Sequence, residues 1–223
     1  PGEGGPDLGG FSDFFESLFG RGFQGAQHAR QTGFRTRGED HHAKVMIELE
    51  DALQGATRKI TLQVPEVDSR GRLNMRERVL NVRIPAGIRQ GQHIRLAGQG
   101  AAGPGQGPAG DLYLEVEFRP HPFYRVDGRD LYLELPVTPW EAALGATTKV
   151  PTPAGVVDLK IPAGSGSGRK LRLKGRGIPG QSPGDLFVIL KIALPVADSE
   201  AAQALYRRMQ QELDFNPRAH LGV

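Results

Sequence analysis

An internal duplication constrains the fold of this chain more than any other feature. Residues 82–100 read VRIPAGIRQGQHIRLAGQG, and residues 159–177 read LKIPAGSGSGRKLRLKGRG, at a constant offset of 77. Upstream, residues 49–60 (LEDALQGATRKI) are answered by residues 139–150 (PWEAALGATTKV) at an offset of 90. Downstream, Gly110-Asp111-Leu112-Tyr113 is answered by Gly184-Asp185-Leu186-Phe187. Three blocks in the same order describe two copies of one folding unit, each roughly 75 to 90 residues long. A solenoid needs about three or more repeats to bury a continuous core, so two copies predict tandem domains.

Within each copy the hydrophobic period is that of strands. Val45, Ile47 and Leu49 point one way and Met46 and Glu48 the other, as in a half-buried strand. A short helical turn over residues 50–54 ends at Gly55. Its counterpart is better marked: Thr138 is a natural N-cap, Pro139 suits the first helical position and Gly145 the exit. Each glycine is followed by a strand (58–64; 147–151), a turn region and a third strand (79–84; 156–161) running into Pro-Ala-Gly. A fourth strand (93–96; 170–173), a Gly-rich loop and a last strand (111–118; 185–194) complete each unit. The expectation is an all-β protein of two small domains, 39–120 and 121–196, each with one short helix.

The two ends are of different material. Residues 1–38 hold ten of the 31 Gly and six of the ten Phe, a composition expected for a flexible linker. Inside it, Phe11, Phe14, Phe15, Leu18 and Phe19 fall on one face of a short helix, which needs a partner surface to persist. Plain sticky disorder is the alternative. Residues 197–223 predict a helix capped by Asp198 or Ser199 and stopped at Asn216-Pro217. Its stripe of Ala202, Leu205, Tyr206, Met209 and Leu213 must be buried, either on the second domain or, as we expect, on a second chain.

Composition excludes several classes. No apolar run approaches the roughly 20 residues of a membrane span, and no secretory leader pattern is present. Cys is absent, which removes disulfides and thiolate zinc sites and fits a reducing cytoplasm. The balance of 28 basic to 25 acidic residues is too even to announce nucleic-acid binding by itself.

No catalytic group assembles. GxGxxG occurs at residues 98–103, 105–110 and 175–180, but a nucleotide cradle must leave a strand and open a helix. Here Pro104, Pro108 and Pro179 interrupt, and a strand beginning Gly-Asp-Leu follows, so hairpin loops are expected. His41 and His42 are adjacent and point to opposite faces of a strand, and no carboxylate completes a metal-ligand spacing. No enzyme, metal or cofactor is expected.

Surfaces remain. Arg58 and Lys59 precede Ile60 and Leu62 on a strand whose counterpart carries Pro151 and Pro153, which spoil an edge. An extended peptide could add to the first copy as a strand, or Ile60 and Leu62 are simply core. Arg169, Lys170, Arg172, Lys174 and Arg176 form the densest basic cluster. Alternation puts Lys170, Arg172 and Lys174 opposite Leu171 and Leu173, either as a solvated face or as a phosphate-contacting stripe.

In combination these motifs, with HPFYRVDGRDL at 121–131, resemble the C-terminal part of DnaJ-type co-chaperones over essentially the whole chain. PVTPWEAALGA at 136–146 and DFNPRAHLG at 214–222 look most like the curved-DNA-binding, CbpA-like branch. The resemblance implies two tandem β-sandwich domains of the DnaJ C-terminal type plus a C-terminal helix, in a fragment that begins after the J-domain. The zinc-binding insertion of longer family members would fall between Val64 and Val79, where no Cys occurs. It further implies unfolded-polypeptide binding at Val45, Ile47, Arg58, Lys59, Ile60 and Leu62, for delivery to a DnaK-type ATP-dependent chaperone through the missing J-domain. Homodimerisation would use Leu205, Tyr206, Met209, Leu213 and Phe215. DNA contact would fall on Lys170, Arg172, Lys174 and Arg176, in a cytoplasmic, nucleoid-associated protein that does not engage membranes. The alternative is a purely architectural DNA-binding protein.

Overall fold

A computed structural model describes residues 36–67 and 73–222. Most of the expected linker, with its Phe stripe, lies outside the described residues. The first repeat runs β1 (His41–Ile47), α1 (Leu49–Gln54), β2 (Ala56–Val67), β3 (Leu73–Ile84), β4 (His93–Leu96) and β5 (Leu112–Phe118). The second runs β6 (Tyr124–Asp127), β7 (Asp130–Val137), α2 (Pro139–Leu144), β8 (Ala146–Thr152), β9 (Gly155–Ile161), β10 (Lys170–Leu173) and β11 (Leu186–Ile192), and α3 (Glu200–Glu212) closes the chain.

The duplication in sequence is a duplication in topology. One sheet has the order β1-β5-β4 and the other β10-β11-β7-β6, so β7, β11 and β10 stand where β1, β5 and β4 stand. Both central pairs are parallel, His41 to Ile47 along Leu112 to Phe118 and Leu131 to Val137 along Leu186 to Ile192. A two-stranded hairpin, β2-β3 or β8-β9, completes each open sandwich. β6 is the one strand of the second sheet without a counterpart in the first.

Alternation fills each core. In the first repeat Val45 and Ile47, Val82 and Ile84, and Leu112, Leu114 and Val116 turn inward, with Ile60, Leu62 and Leu80 of the hairpin packed against them. The second core takes Leu131, Leu133, Leu135, Val137, Val150, Leu159, Ile161 and Leu186 through Leu190 on alternate positions. The repeats also share surface. Leu49 of α1 is buried in the second core, with Leu53 and Phe118 against it. Arg129 donates through Nη1 to the carbonyl oxygens of Gly87 and Pro179, tying one loop from each repeat.

Three strands differ most from expectation. The hairpin strands expected at 58–64 and 79–84 extend to Val67 and start at Leu73, every residue paired, including Pro65 opposite Met75. A strand with a neighbour on one side only tolerates proline where the missing N–H faces outward. The last strand stops at Ile192 rather than 194. The caps are as read for the second copy: Thr138 and Glu141 form a reciprocal capping box, and Gly145 exits with φ 80°. Glu48 at the start of α1 makes no side-chain cap.

Candidate functional site

The glycine-rich motifs are structural. Asp111 accepts from the Gly98 amide at 2.8 Å and from Arg95 Nε at 2.7 Å, with Arg37 2.8 Å away, while its own amide donates to Asp40 at 2.7 Å. Asp185 accepts from Gly175 at 2.7 Å and Arg172 Nε at 2.6 Å, and its amide donates to Asp130 at 2.8 Å. The Gly98 and Gly175 amides, aided by the guanidinium groups, hold both carboxyls below the ordinary aspartate value against the opposing effect of burial. The first glycine of each Gly-x-Gly has positive φ, 66° at Gly98 and 69° at Gly175. At the second there is no room. A Cβ on Gly100 would lie 2.7 Å from the Asp111 carbonyl oxygen, and one on Gly177 would lie 2.8 Å from the Asp185 amide. These glycines make a clamp for an aspartate, and no phosphate cradle.

The six residues expected at a peptide groove are divided by the fold. Val45 and Ile47 point into the first core, so they underlie that surface and do not reach it. Arg58 is held by Asp51, Nε at 3.0–3.1 Å from both carboxylate oxygens and Nη2 at 2.6 Å from one. That hydrogen bond and charge raise the Arg58 pKa above its ordinary value. Lys59 is exposed, and Ile60 and Leu62 are half-buried. β2 pairs with β3 along one edge, and no strand among the described residues pairs with the other. In β8 the matching edge carries exposed Pro151, opposite Val156.

The basic cluster is divided as well. Lys170 and Arg172 are exposed, alternating with half-buried Leu171 and Leu173, and Lys174 and Arg176 extend from the strand end in the open. Arg172 is committed to Asp185. In the tail, Ser199 accepts from the Ala202 amide at 3.2 Å and starts α3, none of whose residues is buried. Leu205, Met209, Leu213 and Phe215 are exposed, and Tyr206 is half-buried with its hydroxyl donating to the Pro195 carbonyl at 2.7 Å. The second core thus does not cover this stripe.

Sequence reasoning missed Asp51 as the partner of Arg58, and Arg129 between the repeats. In the sequence Asp111 and Asp185 are repeat markers, and in the structure each organises a loop. Their signal was legible, since Arg95, Gly98 and Asp111 recur as Arg172, Gly175 and Asp185. Arg125, Tyr132 and Phe187, which line up on the second sheet, carried no signal beyond alternation.

Among the described residues no three His, Cys, Asp or Glu converge as a metal site, and no helix is long and apolar enough to cross a membrane. Duplicated open sandwiches, each closed by an aspartate clamp, define a tandem β-sandwich protein. The chain belongs to the DnaJ C-terminal domain family, whose model matches residues 41–195. It is 52% identical over 213 residues to the curved DNA-binding protein of Coxiella burnetii, covering 95% of this chain and 68% of that one. The curved DNA-binding proteins of Pseudomonas putida and Serratia proteamaculans are 41% and 42% identical, over 97% and 93% of this chain and 70% and 68% of theirs.

Proposed function

We propose that this chain binds segments of non-native polypeptide along the unpaired edge of β2 and holds them for a DnaK-type ATP-dependent chaperone. One observation carries the reading: β2 is long, paired on one side only, and half-exposes Ile60 and Leu62 beside its free edge. Backbone groups on that edge supply affinity for any extended chain, and the two apolar side chains select greasy segments. Val45 and Ile47 support the strand from beneath, and Lys59 is the cation left to meet an acidic residue. On this reading residues 39–120 are the client-binding domain, 121–196 the second domain and 197–223 the dimerisation tail. No catalytic step is assigned.

The exposed stripe of Leu205, Met209, Leu213 and Phe215 fits a second copy of the chain. Two weak sites in one assembly raise local concentration and hence avidity. Sedimentation equilibrium should give twice the chain mass, and Leu205→Ser with Met209→Ser should return a single mass; a monomeric unaltered chain would remove this part. For the client site, the purified chain should suppress aggregation of a denatured client. Ile60→Ser with Leu62→Ser should abolish most of that suppression while the circular dichroism spectrum stays unchanged. Equal suppression by the folded double variant would sink the edge reading.

A second activity is favoured by the relatives' name and by exposed Lys170, Lys174 and Arg176. We infer that the chain also binds DNA through backbone charge and shape, as a cytoplasmic, nucleoid-associated protein. A chain that bound duplex and left clients to aggregate would be architectural alone.

A further inference from the structure

One row of side chains crosses the outer face of the second sheet at right angles to its strands. Arg125 on β6 is opposite Tyr132 on β7, Tyr132 opposite Phe187 on β11, and Phe187 opposite Arg172 on β10. The two rings stack, 5.2 Å between centroids and 21° apart. The Arg125 guanidinium carbon lies 4.2 Å from the Tyr132 centroid, and Lys170 Nζ lies 5.9 Å from it. β6 and β11 flank β7 on opposite sides, so Arg125 and Phe187 cover the two faces of the Tyr132 ring. With strands about 4.8 Å apart, the row spans roughly 14 Å. That length suits a polyanion better than one small anion.

The first sheet has the same row without the same charge. Arg95, Tyr113 and His42 stand opposite one another there, and the Tyr113 and His42 rings stack at 5.1 Å and 13°. Lys44 is neutralised by Glu117 at 2.6 Å, Arg95 by Asp111, and Glu115 lies between. On the second sheet the positions of Glu115 and Glu117 are Ile189 and Lys191. Its face therefore sets Arg125, Lys170, Arg172 and Lys191 against two acids, Asp185 and Glu134, which take Arg172 and, at 3.3 Å, Lys191, and leave Arg125 and Lys170. Asp127 and Asp130 sit past Arg125 at the β6–β7 turn, where Asp130 accepts the Asp185 amide. Arg125 and Lys170 are held by the ring and, among the described residues, make no ion pair, so neither must abandon a carboxylate there to meet a phosphate.

We propose that this face, centred on Arg125 and Lys170 over the Tyr132 ring, is where the sugar-phosphate backbone of a DNA duplex docks. The proposal rests on the DNA reading above and extends it from the end of β10 across all four strands. Because both faces of Tyr132 are covered, the row offers cations to phosphates and no bare ring for a base. Binding is therefore indifferent to base sequence and sensitive to salt.

The test is fluorescence anisotropy of a labelled 30-bp duplex (roughly three helical turns) against the whole chain over a salt series. Arg125→Gln should weaken binding roughly three- to tenfold and flatten log K against log salt by about 0.9, the worth of one phosphate contact. Tyr132→Leu, which changes no charge, should weaken it roughly two- to fivefold by releasing both cations. Lys44→Gln on the first sheet should change nothing. Should Arg125→Gln and Tyr132→Leu bind like the unaltered chain while Lys174→Gln with Arg176→Gln fails, the face is wrong and the DNA reading survives. If the unaltered chain ignores duplex at low salt, both fall together. Displacement of duplex by poly-glutamate with the same loss in both variants would make this an acidic-protein site and overturn the proposal. Arg125 is exposed, so an unchanged thermal melt for Arg125→Gln keeps the result separate from folding.

Discussion

The two repeats keep in common what folding requires and differ in what meets solvent. Both have a parallel central pair, an outer antiparallel strand, a separate hairpin and an aspartate clamp closed by an arginine and a glycine amide. Around that frame the first repeat spends Asp51 on Arg58, whereas Glu141, at the matching position in the second, closes a capping box with Thr138. The first presents a hairpin of two 12-residue strands with its edge proline, Pro65, towards the tip, the second one of 7-residue strands with Pro151 on the edge. The acids of the first sheet face become apolar and basic on the second. Duplication followed by surface divergence gives one chain two different surfaces on one scaffold, which is what the proposed binding of both a polypeptide and a polyanion asks for.

If the clamp is the shared element, damage to it should cost both repeats alike. The largest effect should come from Gly100→Ala and Gly177→Ala, because each added Cβ would press on backbone atoms that cannot rotate away. Each should destabilise by about 3 kcal/mol or more, at or past the upper end of ordinary overpacking, in a denaturant melt. A large loss at one position and a negligible one at the other would show that the two clamps are not equivalent, and the comparison would break there.

Much of this frame was legible in the sequence, and the reasons are local. β4 and β10 fall where alternation put them, and α2 where Thr138, Pro139 and Gly145 put it, because period and capping act over a few residues. The hairpin length was not legible. Pairing through Pro65 depends on which edge of β2 lies open, a tertiary fact. The candidate sites fared the same way. Alternation gave the exposed side of Lys170 and Arg172 correctly, but that Arg172 is taken by Asp185 depends on a loop closing thirteen residues away. Alternation also put Val45 and Ile47 on one side of a strand without saying that this side is core. Arg125 escaped notice because it lies on the one strand with no counterpart in the first repeat, so the duplication could not point to it.

A smaller effect separates the clamps by pH. Asp111 and Asp185 both have folded-state pKa values below 3.8, chiefly because the Gly98 and Gly175 amides, then Arg95 and Arg172, favour the ionised form. A carboxyl depressed on folding contributes stability that is complete above its unfolded value and drains away as pH falls through the folded one. The acid limb owed to these two groups should therefore begin below about pH 4, with the plateau above it untouched by them. Asp111 has Arg37 as well as Arg95 in contact, whereas Asp185 has Arg172 in contact and the Lys174 charge acting without an ion-pair contact. Denaturant midpoints between pH 2 and 6 should then fall less steeply for Asp111→Asn than for the unaltered chain, with a smaller flattening for Asp185→Asn. All three arginines stand half in solvent, so raising the salt should shrink the difference between the two variants before it removes the limb itself, which the amide hydrogen bonds sustain. Equal flattening at low salt would mean that Arg37 adds no more to its clamp than Lys174 adds to the other, and that the first clamp is no stronger than its copy.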